Sequence, residues 1–145
     1  MTVKRLCGDK IVLSNPSETN WLSLMRDHGQ RVHQSTPTPF IFQTPTWRPL
    51  RDYTELGLQG RFDEAAAISK QLQPLREIWD RCMKTWPDSR IIPIARLKAW
   101  SEMLGMAGGP VRLPLPQITD AERQALRSDL ERAGLLARIA AAKAA

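Results

Sequence analysis

The chain has 145 residues, 42% of them hydrophobic and 25% charged, with a formal net charge of +6, the balance of a folded protein rather than a disordered one. That length can bury about 68–70% of the unfolded surface, but it falls well short of the roughly 250 residues of a complete (β/α)8 barrel. The positive excess is diffuse, +2 over residues 1–58 and +4 over residues 59–145. Nearly every basic residue of the C-terminal half has an acidic neighbour within a helical turn, so solvated helix faces account for the charge and no nucleic-acid partner is expected.

No run of about 18 apolar residues exists, and no apolar stretch of leader length follows the charged Met1–Lys10 segment, so neither a membrane span nor a secretory leader is expected. The two cysteines, Cys7 and Cys82, are far apart and make no disulfide framework. A reducing cytoplasm is the expected compartment, with no membrane partner.

In chain order, Lys10-Ile11-Val12-Leu13-Ser14 is a short apolar run rich in β-branched residues, closed by the turn signal Asn15-Pro16. It reads as a buried parallel strand. Trp21, Leu22, Leu24 and Met25 after Ser17 predict a helix that stops at His28-Gly29. A second strand is expected at either Arg31–Ser35 or Phe40–Gln43, the latter more apolar but flanked by proline. Strand, helix, strand in that order implies a right-handed crossover.

From Arg48 the pattern turns helical. Pro49 suits a first turn, and Leu50, Tyr53 and Leu56 follow at spacing three before Gly60. Ala65, Ile68, Leu72, Leu75, Trp79 and Cys82 form one apolar stripe from about residue 62 to 86, with Pro74 expected to kink it. Another helix is expected over residues 91–104, on Ile94, Leu97, Trp100 or Ser101, and Leu104. Thr119-Asp120-Ala121-Glu122 is a capping box for the last helix, which carries Leu126 and Leu130 and stops at Gly134. The Ala-rich residues 137–145 are expected to fray. The whole reads as one βαβ unit followed by a cluster of helices.

The residues do not add up to a self-contained active site. Gly105, Gly108 and Gly109 lack phosphate-loop spacing. His28 and His33 straddle a glycine and share no helix face, so no metal site is assigned. Ser35 lies near His33, but no acidic residue is placed to orient the imidazole. Cys82 falls on the apolar stripe and reads as core. Trp79, Trp86 and Trp100 could stack on bases, yet their helical spacing favours core. Lys98 sits in an apolar helix, where a lowered pKa would make it a nucleophile; an aliphatic stem reaching out to solvent is the simpler reading.

Three motifs in register carry a family resemblance over roughly residues 60–136. They are Gly60-Arg61-Phe62-Asp63-Glu64-Ala65 with Leu72, Pro74 and Leu75; Lys98 with Leu104-Gly105-Met106; and Val111-Arg112-Leu113-Pro114-Leu115 with Ile118-Thr119 and Ala133-Gly134-Leu135-Leu136. This pattern resembles the C-terminal half of the dihydrodipicolinate synthase / N-acetylneuraminate lyase family of class I aldolase-type enzymes.

The resemblance implies an α/β fold, mostly α by residue count: the last two βα units of a (β/α)8 barrel followed by a C-terminal helical bundle. Residues 1–59 would hold strands seven and eight with their helices, and residues 60–145 the helical domain. Lys10–Ser14 resembles strand seven. Gly29–Ser35 resembles strand eight, with Val32 at the family's second glycine; Phe40–Gln43 is the alternative register. Asn15-Pro16 stands where the family has Gly-Asp. Strand ends there help line the pyruvyl pocket of relatives, which makes Asn15, Gln34 and Ser35 the candidate pocket residues.

Relatives act on pyruvate or another 2-oxo acid through a Schiff base on a strand-six lysine, with a tyrosine relaying protons and no added cofactor. The resemblance places neither group in this chain: Lys10 opens strand seven and Tyr53 lies on the eighth helix. No catalytic residue and no metal ligand is therefore assigned. The chain is expected to be inactive alone and to form homo-oligomers, as relatives do through this region; the alternative is a non-catalytic helical interaction or dimerisation module.

Overall fold

The computed structural model describes residues 2–8, 10–12, 14–34 and 37–144. Helices dominate, and no strand forms among the described residues. Helix α1 spans Thr2–Cys7, an element without an apolar period to announce it. α2, Glu18–His28, starts from Asn15, whose Oδ1 accepts the Ser17 N–H at 2.9 Å. It stops at Gly29, whose φ of 60° is open to glycine at little cost; the Gly29 and Gln30 N–H groups close back onto the Met25 and Leu24 carbonyls.

The expected strands are corrected by the structure. Lys10 and Ile11 form a bend, Val12 and residues 14–17 have no regular structure, and Leu13 lies outside the described residues. Ile11 is 40% and Val12 77% exposed, the opposite of a buried strand. A β-branched run becomes a strand only when a neighbouring backbone takes up its N–H and C=O groups. Residues 29–34 of the other expected strand have no regular structure either, and they bond to this run through the Ser14 and Gln30 side chains. Phe40–Gln43 is not a strand either. Helix α3, Thr38–Ile41, runs into it with Pro39 in the first turn; Ile41 and Phe42 are both buried and Phe40 is exposed, which period-two alternation cannot give. Among the described residues there is thus no partial barrel.

The helical expectations fare better. α4 is Pro49–Leu58, with Leu50 and Tyr53 buried. The long stripe divides into α5, Phe62–Ser69, a 3-10 turn over Lys70–Leu72, and α6, Gln73–Met83. The break falls where Pro74 lacks an N–H for the preceding turn. Short α7, Trp86–Ser89, follows. α8, Ile94–Met103, begins after Pro93. α9, Asp120–Arg132, carries the complete capping box, and α10, Leu135–Ala144, continues past Gly134.

Two compact units emerge. The first joins residues 1–39 to 49–71. Its α4 packs on α5, and α2 packs on both. A Cβ at Gly57 would stand 2.6 Å from Met25 Cε, so glycine lets α2 and α4 approach. The second unit joins residues 40–48 to 72–145, with α6, α8 and α10 all packing on α9. Phe42 stacks on fully buried Trp100 at 5.8 Å and meets Trp79 edge-on at 6.4 Å. Two of the three tryptophans weighed as a stacking platform therefore belong to this aromatic cluster. Arg81–Asp129 ties α6 to α9, while Arg96–Glu122 and Arg123–Glu102 tie α8 to it.

Candidate functional site

The candidate pocket residues lie in the first unit, where two irregular segments meet. The Ser14 hydroxyl donates to the Val32 carbonyl at 3.2 Å and accepts the Gln34 N–H at 3.2 Å. The Gln30 amide donates to the Val32 carbonyl at 3.0 Å and to the Asn15 carbonyl at 3.4 Å. Asn15 and Gln34 are thus brought to one junction through Ser14 and Gln30. Ser35 lies outside the described residues. Side chains rather than a backbone ladder hold the segments together, because Ser14 and Gln30 carry both donor and acceptor atoms.

Gln30 is 5% exposed, and its Oε1 is buried without a hydrogen-bond partner. Beside it, the His33 ring stacks on Trp21 with centroids 4.9 Å apart, and both imidazole nitrogens are buried and unpartnered. Burial pushes the His33 pKa down, and Glu18 opposes that shift without overcoming it. The Trp21 indole donates to Thr54 Oγ1 at 2.9 Å, and Thr54 donates to the Leu50 carbonyl at 2.6 Å. Tyr53, fully buried, donates to Glu18 Oε1 at 2.8 Å; Glu18 itself is 5% exposed.

The Glu18–Tyr53 pair and the Trp21–His33 stack are what the residue reading missed. Glu18 was legible as an acidic residue three before Trp21 and seven before Met25, on the buried face of α2. Spacing puts Tyr53 on the apolar face of α4 and says nothing of its hydroxyl. The acidic neighbour absent from the sequence around His33 is supplied in space by Glu18.

The lysines whose side chains are described sort by burial. Lys10, Lys70 and Lys84 are exposed. Lys98 is half-buried, and its Nζ donates to the Pro110 carbonyl at 2.7 Å, anchoring the loop after α8. Glu102, one turn further along α8, accepts the Gly109 N–H and Arg123. These contacts depress the Glu102 pKa, the Arg123 hydrogen bond first. Gly108 sits so close that a Cβ there would lie 2.7 Å from the Lys98 carbonyl oxygen. Cys82 is buried, and burial pushes its thiol pKa up, which suits a packing residue rather than a nucleophile. Among the described residues no group of three or more His, Cys, Asp or Glu side chains is arranged to hold a metal ion, and no helix is long and apolar enough to cross a membrane.

No protein-family profile matches the chain, and no solved structure matches it. Curated proteins do. The 4-hydroxy-tetrahydrodipicolinate synthase of Halorhodospira halophila is 30% identical over 135 residues, covering 92% of this chain and 40% of that enzyme. The enzymes of that name from Escherichia coli O139:H28 and Shigella boydii serotype 18 are 29% identical over 134 residues, covering 92% of this chain and 41% of theirs. The chain spans about two-fifths of the length of these relatives. By sequence the chain is similar to the C-terminal portion of dihydrodipicolinate synthases.

Proposed function

We propose that the chain is the C-terminal portion of a Schiff-base-forming lyase or aldolase-type enzyme acting on pyruvate or another 2-oxo acid, and that alone it performs no such chemistry. In this reading the parent enzyme is cytoplasmic, has a barrel fold, and places Asn15, Gln34 and Ser35 at its substrate pocket. The meeting of Asn15 and Gln34 at one junction supports a shared pocket edge. Homo-oligomerisation through the helical part belongs to the same reading, supported by Ile91 and Ile92, which stand 45% and 46% exposed beside a cleft of about 220 Å³.

The observation that carries the proposed inactivity is the state of the four lysines whose side chains are described. An amine that attacks a carbonyl near neutral pH needs its ammonium form destabilised, through burial or a neighbouring cation. Lys10, Lys70 and Lys84 stand in solvent, and Lys98 Nζ is engaged in holding the Pro110 carbonyl. Borohydride reduction in the presence of pyruvate, followed by mass spectrometry, tests the proposal. The expected result is an unmodified mass; a covalent adduct on Lys10 or Lys98 would overturn it.

A further inference from the structure

We propose that His33 is a proton-sensitive latch: at mildly acidic pH, protonation of its imidazole releases residues 30–34 from Trp21 and loosens the junction that joins Asn15 to Gln34. This rests on the packing of the first unit and not on the proposed parent activity. A neutral imidazole can lie flat on an indole. An imidazolium carries two N–H donors, each of which needs an acceptor or water, and here both nitrogens are buried and unpartnered. The charged group acting on the ring is Glu18 of α2, whose carboxylate accepts the Tyr53 hydroxyl of α4 rather than a ring N–H.

His33 is thus charged at a cost, and the readiest relief is for the ring to leave Trp21. The lowered pKa agrees with that, with burial the larger cause and Glu18 the smaller. Movement of His33 has a defined reach. Val32 and Gln34, on either side of it, are the residues tied to Ser14, and Gln30 is tied to Asn15. Release of the ring therefore pulls on the bonds that hold the two segments together.

The sign follows from linkage. A histidine whose folded pKa lies below the ordinary 6.5 contributes stability that is complete above 6.5 and is lost as pH falls from there toward the folded value.

Two NMR reporters in the intact chain test the latch: the imidazole C–H signals of His33 and exposed His28, and the Trp21 indole N–H. The expected result is a His33 midpoint below 6.5, with the Trp21 signal shifting at that midpoint and that step lost in His33→Phe. A Trp21 signal that stays constant through the His33 titration, or a His33 midpoint at or above 6.5, would overturn the proposal. Should His33→Phe not fold, the wild-type chain with His28→Gln to assign the midpoints decides alone.

Discussion

At the scale of single residues, the first unit is organised by polar groups that left little trace in the sequence. Burying a carboxylate is costly unless it is well bonded, and Glu18 meets that requirement through the Tyr53 hydroxyl. Tyr53→Phe keeps the ring and removes the donor. The expected loss is about 1–3 kcal/mol, the usual penalty when a buried partner is left with one bond fewer. It should appear as a lower urea midpoint at unchanged slope; an unchanged midpoint would mean that the bond contributes nothing. The apolar neighbours were legible because spacing alone selects Trp21, Met25, Leu50 and Tyr53. Which polar atoms they enclose depends on how α2 meets α4, and no local pattern encodes that. Asn15 illustrates the difference. Resemblance puts it at a pocket, while its side-chain oxygen accepts the N–H of Ser17, the residue that precedes α2.

At the scale of elements, local signals were dependable wherever the chain could satisfy them within a turn or two. Pro74, the capping box at Thr119 and the stop at Gly134 all act through adjacent backbone, and all appear where expected. The capping box also binds α8, because Glu122 accepts the Thr119 N–H and hydroxyl and pairs with Arg96. These contacts hold its pKa down to about 2, against an ordinary 4.5, with the Thr119 backbone bond the largest cause. A depressed carboxylate contributes stability above about pH 4.5 that is lost as pH falls toward 2. Asp27 and Glu64, each lowered by an arginine, share the acid limb, so the informative quantity is a difference. Between pH 5 and pH 3, the Tm of Glu122→Gln should fall less than that of the natural chain. Thr119→Ala should lose about 1 kcal/mol at neutral pH, as for other N-cap replacements. Equal acid sensitivity of the two chains would show that Glu122 is no better bonded folded than unfolded.

At the scale of the whole molecule, the missing strands separate two kinds of information in the sequence. The run Lys10–Ser14 has strand composition, and composition describes how a segment would fit a sheet that other segments must supply. Helices supply their own backbone partners, so residues 49–144 fold to the pattern that can be read from them. Residues 10–12 and 29–34 do not, although the match to enzymes more than twice the length of the chain runs over 92% of it. Substitution can measure the difference directly. Val12 is 77% exposed, and a surface change away from caps and ion pairs stays within about 0.5 kcal/mol. A valine inside a barrel sheet would instead place a charge in an apolar layer, at several kcal/mol. Val12→Asp should therefore leave the urea midpoint of this chain almost unmoved. Leu130→Ala, at a fully buried position of α9, should cost about 2–5 kcal/mol and calibrates the same measurement. If Val12→Asp proves as damaging as Leu130→Ala, residues 10–14 are buried in solution, and a sheet, within the chain or between copies, must cover them.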